Sequence, residues 1–258
     1  MKNTIETVFS PALFPFLPGG VSGKQVVIID ILRATTTMCI ALSNGCKRMV
    51  AVSSAEESEL FRDRGYLLAG ERNGYKLDGF DFGNSPQEFV SEKVNDKNIV
   101  ITTTNGTQAL VMSKEAAQIW VASFCNLSAT VSAIESLGIS VVLFCAGWKN
   151  RFNLEDSVFA GAIVERLLAR GYVIEDDASR AALSMYRDSC GDMENYLKDA
   201  NHVQRFKSMH AETDLDVCLQ EDISNFAVSA VIQEIKFGDN YVCAGELVQS
   251  ISGSVNLQ

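Results

Sequence analysis

Short, densely apolar runs alternate along the chain with polar turns and amphipathic stretches. Four β-branched residues, Val26 to Ile29, run into Asp30, and the apolar spacing turns helical at Met38, Ala41 and Leu42. This pattern predicts a buried strand, a polar crossing that carries Asp30, Arg33 and Thr35 to Thr37, and a helix stopped by Asn44-Gly45. The same succession recurs at Ile99 to Thr104, where Thr102-Thr103-Thr104-Asn105-Gly106-Thr107 turns a strand into a helix expected to reach about Ala117. It recurs again at Ser140 to Cys145, where Ala146-Gly147 breaks the strand before a helix over Leu154 to Arg170. Shorter apolar runs predict strands at 49–52, 67–69 and 119–123, with helices over Ser54 to Arg64 and from Asn126 or Ser128 to Leu137. Residues 5–20 read as a short extended segment and a Pro-rich loop.

Three stretches depart from this rhythm. Residues 70–86 (GERNGYKLDGFDFGNSP) show no usable period and predict a long loop, with a helix starting near Ser85 and Pro86 at its first position. Residues 176–222 predict two or three amphipathic helices without an intervening strand. Phe226 to Glu234 and Tyr241 to Val248 then predict closing strands, the first at a sheet edge. Alternating strands and helices indicate an α/β protein, with a mainly parallel sheet flanked by helices in three layers and a helical insertion in the C-terminal third. No repeat or Pro/Ser linker divides residues 1–258, so one compact domain is expected.

Composition adds exclusions. Hydrophobic residues are 47% and charged residues 21% of the chain, ordinary for a globular protein. A formal net charge of −10 opposes a nucleic-acid partner, whose phosphates need a Lys/Arg surface. It does not oppose a small anion held by a locally positive site. The seven cysteines are scattered and form no CxxC, which predicts buried free thiols, a reducing compartment and cytoplasmic location. Pro11, Pro15 and Pro18 interrupt the N-terminal apolar run, against a signal peptide or membrane span. A homodimer is expected on size alone.

The candidate chemistry gathers at the carboxyl ends of the predicted strands, where open α/β sheets bind ligands. Asp30 ends an apolar run, where a carboxylate must be paired, hydrogen-bonded or on a metal. Glu71, Asp78 and Asp81 lie in the glycine-rich loop, and Glu155 and Asp156 open the helix after the third strand. Hard oxygen ligands at loop tips suit Mg²⁺, which takes one or two carboxylates plus water and phosphate oxygens. The two threonine-rich turns offer hydroxyls and helix-start amides to a phosphate or sulfonate, and Gly106 lets backbone approach closely. Arg33, Arg72, Lys149 and Arg151 fall on the same predicted crest and suggest an anionic substrate. No Walker A loop, GxSxG or zinc spacing occurs, and His202 and His210 are placed in the helical segment, away from the crest.

Taken together, several of these stretches resemble the 2-phosphosulfolactate phosphatase (ComB) family of coenzyme M and sulfolactate metabolism. They are Asp30 to Thr37 (DILRATTT), Gly70-Glu71-Arg72 with Gly79 to Pro86 (GFDFGNSP), Thr102 to Thr107 (TTTNGT), Ser123-Phe124 with Asn126, and Cys145-Ala146-Gly147 with Leu154-Glu155-Asp156 and Ala160-Gly161. The match covers roughly residues 24–165; the C-terminal third is similar only in length and in Asp216-Val217-Cys218 with Asp222. The resemblance implies a Mg²⁺-dependent phosphatase converting (R)-2-phospho-3-sulfolactate to (R)-3-sulfolactate and phosphate. On that basis Asp30 is the expected centre of the reaction, with Asp30, Glu71, Asp81, Glu155 and Asp156 forming the metal shell. Thr36, Thr103, Thr104, Asn105 and Gly106 would hold phosphate, and Arg33, Arg72 and Arg151 would neutralise charge or hold the sulfonate. The competing readings are a phosphatase of another small phosphorylated hydroxy acid and a non-catalytic binding protein for such an anion.

Overall fold

The computed structural model describes residues 2–103, 105–208 and 211–250. Its strands are β1 (Thr4–Val8), β2 (Gln25–Ile29), β3 (Arg48–Ala51), β4 (Leu67–Arg72), β5 (Tyr75–Lys76), β6 (Asn98–Thr102), β7 (Gln118–Ala122), β8 (Val141–Cys145), β9 (Val173–Ile174), β10 (Ala227–Phe237) and β11 (Asn240–Ser250). They form one sheet in the order β5-β4-β6-β3-β11-β10-β7-β2-β8-β1-β9. The helices are α1 (Ala34–Ser43), α2 (Ala55–Glu59), α3 (Ser91–Val94), α4 (Gly106–Met112), α5 (Leu127–Leu137), α6 (Leu154–Leu168), α7 (Asp177–Ser189), α8 (Met193–Leu197), α9 (Asn201–Ser208) and α10 (Glu212–Cys218). The fold is α/β, with two mostly parallel blocks of strands joined through antiparallel pairings of β10 and β11.

Burial on both faces explains the apolar density of the strands. In β2, Val27 and Ile29 join a cluster under α5, α6 and α7, while Val26 and Ile28 join a second cluster with α1 and α4. That second cluster also contains Met49 and Ala51 of β3, Ala69 of β4, and Ile99 and Ile101 of β6. In strand order β6 and β2 are five positions apart, which in a flat sheet is about 24 Å. Yet a Cβ added to Gly106, just beyond β6, would lie 3.1 Å from Asp30 Oδ2, just beyond β2. The sheet therefore curls around α1 and α4 and brings the carboxyl ends of its two parallel blocks together.

Several sequence expectations need correction. Residues 226–234 are not at an edge: β10 and β11 form a long hairpin at the middle of the sheet. Their alternation is broken by half-exposed residues, which made them resemble an edge pair. The 70–86 stretch is not wholly loop, because β4 continues through Glu71 and Arg72 and returns as β5 across an Asn73-Gly74 turn. Both turn residues have positive φ (56° and 89°), the conformation that Asn and Gly tolerate best. The helix after Gly106 ends at Met112 rather than Ala117, and among the described residues the C-terminal insertion contains four helices rather than two or three.

Candidate active site

Local hydrogen bonds first fix the crossing after β2. The Asp30 N–H donates to Thr35 Oγ1 (3.2 Å) and the Asp30 carbonyl accepts from the Thr35 N–H (2.9 Å). Thr36 Oγ1 donates to the Ile31 carbonyl and Thr37 Oγ1 to the Asn84 carbonyl, each at 2.9 Å. The threonine triplet thus spends its hydroxyls on shaping the turn. Thr36, expected to hold phosphate, is fully buried and bonded to backbone instead.

Four carboxylates meet at this point: Asp30, Glu71, Glu155 and Asp156 are all buried. Asp156, in the first turn of α6, ties two strand ends together. Its Oδ1 accepts from the Ile31 N–H (2.9 Å) and its Oδ2 from the Gly147 N–H (3.2 Å). Burial, with Asp30 and Glu155 beside it, drives the Asp156 carboxyl well above its ordinary range. Asp30 is pushed up from 3.8 to about 6, mainly by burial and further by Glu71 and Glu155, while His202 and the Ala34 N–H favour its ionised form. Burial and crowding of like charge of this kind gather at functional sites.

A small polar recess of about 30 Å³ opens here. Asp30, Arg33, Glu71, Asn84, Asn105 and His202 line it, together with Trp148, Arg205 and Phe206. His202 Nδ1 lies 2.7 Å from Glu155 Oε1, so this histidine belongs to the site and not to a remote helical segment. The insertion folds back over the strand ends, a placement that a sequence reading cannot supply. A signal was present nonetheless: His202, Arg205 and Phe206 are spaced i, i+3 and i+4, which sets them on one face of α9. His210 lies outside the described residues.

Arg33 is buried, donating to Asp214 Oδ2 (2.6 Å) and the Gly74 carbonyl (3.1 Å), with its guanidinium 5.1 Å from the Phe206 ring centroid. Asp214 also accepts from Ser85 Oγ (2.6 Å) and Gln87 Nε2 (2.9 Å). It is the polar hub that docks α10 onto the strand ends, a role that no local sequence pattern marks. Asp222 instead accepts from the N–H and Oγ of Ser128 at the start of α5.

Other expected residues are placed elsewhere. Strand alternation turns Arg72 away from Glu71, and its Nη1 bonds the Glu71 carbonyl (3.0 Å). Asp81 is exposed and accepts from the Leu68 N–H (2.8 Å), holding the β4 edge. Asp78 is also exposed and does not line the recess. Arg151 borders a neighbouring chamber. Asn105 lines the recess, with its Oδ1 accepting from the Lys149 N–H (3.1 Å), and Thr103 is buried beside Gly106. Thr104 lies outside the described residues.

Gly106 carries a specific requirement. A Cβ there would sit 3.1 Å from both Ala34 Cβ and Asp30 Oδ2 and 3.4 Å from Thr103 Oγ1. Gly106→Ala is expected to displace the Asp30 carboxylate by tenths of an ångström. The expected cost in kcat is on the order of ten- to a hundredfold, with the circular dichroism spectrum unchanged. Wild-type turnover in this variant would show that the Asp30–Gly106 approach is unimportant.

Three acceptors at the site have no hydrogen-bond partner among the described residues: Glu155 Oε2, Asn84 Oδ1 and Thr103 Oγ1. Buried oxygens are costly to leave unsatisfied, so a ligand is the natural partner for them. No group of three His, Cys, Asp or Glu side chains closes into a metal cage among the described residues. The donors at the site are carboxylate and amide oxygens, the ligand chemistry of a hydrated hard cation, which takes one or two carboxylates.

Comparison with known proteins agrees with this geometry. The model of the 2-phosphosulpholactate phosphatase family matches residues 17–232. The chain belongs to that family. Its enzyme class is accordingly phosphoric monoester hydrolase. A probable 2-phosphosulfolactate phosphatase of Thermotoga petrophila is 42% identical over 78% of this chain and 86% of its own length. Proteins of the same printed name from Caldanaerobacter subterraneus (38% identical, 77% of this chain, 84% of the relative) and Clostridium beijerinckii (35%, 79% and 87%) are similar over comparable spans. The family match extends through the helical insertion that carries His202 and Asp214. No helix among the described residues is long and apolar enough to cross a membrane.

Proposed function

We propose that the protein hydrolyses (R)-2-phospho-3-sulfolactate to (R)-3-sulfolactate and phosphate, with Mg²⁺ as cofactor. The observation that carries this reading is the buried carboxylate cluster at the recess, with unpartnered acceptors beside it, in a chain of this family. A binding protein for an anion has no use for four buried carboxylates, since they repel its ligand. A phosphatase does, once a cation offsets them.

Asp30 and Glu155, with the Asn84 side-chain oxygen, are the residues that would hold Mg²⁺. Bound there, the cation supplies charge neutralisation to the phosphate oxygens. The remaining work belongs to the chain. Asn105 and Arg205 line the recess and grip the phosphate oxygens, with Arg205 kept in place by stacking 4.2 Å over the Trp148 ring. His202, steadied by Glu155, hands a proton to the leaving C2 alkoxide oxygen as the P–O bond breaks. Water attacks phosphorus directly, and trapping a phosphorylated Asp30 after acid quench would refute that path. Arg33 keeps α10 and the β4–β5 turn closed over the recess through Asp214 and Gly74.

The decisive assay is phosphate release from racemic phosphosulfolactate. Turnover is expected with Mg²⁺, to fall at least a hundredfold in EDTA, and to return when Mg²⁺ is restored. Turnover indifferent to EDTA would overturn the cofactor assignment. Binding of phosphosulfolactate without any turnover would return the protein to the binding-protein reading.

A further inference from the structure

A second cavity adjoins the recess. It measures about 500 Å³ and lies between the loop after β8 and the start of α9. Trp148, His202 and Arg205 wall both spaces. Beyond them the chamber is bounded by Phe152, Leu154 and Ala200, with Arg151 at its rim. Phe152 is 51% exposed, and its ring meets Phe9 edge-on at 5.4 Å, so a large apolar surface is held open towards the cavity and solvent. Two cations lie over the Trp148 ring, Lys149 Nζ at 4.6 Å and the Arg205 guanidinium at 4.2 Å from its centroid.

This chamber is out of proportion to a three-carbon sulfonated acid. Pockets of about 300–1,000 Å³ take ligands of drug size and are walled by apolar and aromatic side chains with a few polar groups. The lining is mixed. Asn153, Asp199 and Asn201 join Arg151, His202 and Arg205 as polar groups. Trp148, Phe152, Leu154 and Ala200 supply an apolar wall that a sulfonate has no use for and an aromatic ring does. We infer that the chamber receives a flat apolar substituent of the substrate, so that the enzyme also takes phosphate monoesters of 2-hydroxy acids with an aromatic side chain. The inference rests on the phosphatase reading. The phosphate and its C2 oxygen lie in the recess, the acid's carboxylate lies at the shared wall by Arg205, and the ring enters between Trp148, Phe152 and Leu154. An aromatic ring gains there both from burial and from edge or offset contacts with Trp148 and Phe152.

The test has two arms. In the first, kcat/KM is measured for 2-phospho-3-phenyllactate and for phosphosulfolactate. In wild type the phenyl ester is expected within tenfold of phosphosulfolactate. Ala200→Phe, which fills the chamber, is expected to lower the ratio of phenyl to sulfonate kcat/KM at least tenfold. Phe152→Ala, at an exposed position, is expected to lower it at least threefold and serves if Ala200→Phe does not fold. The second arm needs no turnover: 3-phenyllactate is expected to change Trp148 fluorescence and to bind at least tenfold more tightly than lactate, with the signal lost in Trp148→Phe. Ordinary turnover of phosphosulfolactate, with a phenyl ester more than a hundredfold slower and no preference for phenyllactate over lactate, would overturn the chamber's role. An unchanged ratio in both variants would do the same. Tight phenyllactate binding with no turnover of any ester would instead count against the phosphatase reading and leave the chamber as assigned.

Discussion

Asp30→Asn is expected to lower kcat for phosphate release at least about 1,000-fold, a loss of about 4 kcal/mol of transition-state stabilisation. The substitution keeps the shape and backbone bonds of the crossing but removes the charge at the centre of the recess. The same variant is expected to be more stable than wild type in the metal-free protein at neutral pH. Burial raises the Asp30 carboxyl from 3.8 to about 6. Below pH about 4 the group carries a proton in both folded and unfolded chains, and the two proteins differ little. Between pH 4 and 6 the unfolded chain gives up the proton while the folded one keeps it, so wild type loses stability as pH rises. Above pH 6 the full cost is present, on the order of 3 kcal/mol. Thermal melts of both proteins in EDTA at pH 4 and pH 8 check this directly. A melting temperature for Asp30→Asn below wild type at pH 8 would mean that Asp30 stabilises the fold, and the site assignment would lose its main support. Opposite signs for activity and metal-free stability are what distinguishes a strained functional carboxylate from a structural one.

Asp214→Ala is expected to destabilise the protein by about 3–5 kcal/mol, because it leaves the Arg33 guanidinium buried without its carboxylate. Both partners are almost wholly inside, at 7% and 4% side-chain exposure, so solvent screening gives little relief. The loss also frees Ser85 and Gln87, which bond the same carboxylate. Urea denaturation gives the magnitude. Replacing the pair together, Arg33→Met with Asp214→Leu, is expected to recover most of the stability, since two matched apolar groups leave no stranded charge. It is not expected to recover activity, because Arg33 lines the recess and holds the Gly74 turn. A single-variant loss below about 1 kcal/mol would show that α10 does not depend on this bond.

The local chemistry of the chain was legible without coordinates. Apolar density at 26–29, 99–102 and 141–145 gave buried strands because residues enclosed on both faces have no polar positions to spare. Asp30, Glu71, Glu155 and Asp156 were identifiable because each stands at the end of an apolar run or in the first turn after one. Thr36, Arg72 and Asp81 do not line the recess, for a common reason. Sequence position shows that a side chain is near a strand end but not which way the strand or turn points it. The hydroxyl of Thr36 turned back to Ile31, Arg72 alternated away from Glu71, and Asp81 bonded the edge at Leu68.

What the sequence by itself determined was the alternation of the main strands with helices and the kinds of groups at their junctions, because period and turn residues are local properties. Tertiary structure alone decided the rest. Only the curling of the sheet, through a central antiparallel hairpin, brings Gly106 against Asp30 across four intervening strands. Only the return of the insertion sets His202 on Glu155 and Asp214 on Arg33, contacts that span 47 and 181 residues of chain. Such contacts depend on where whole elements pack, and no short-range pattern records that.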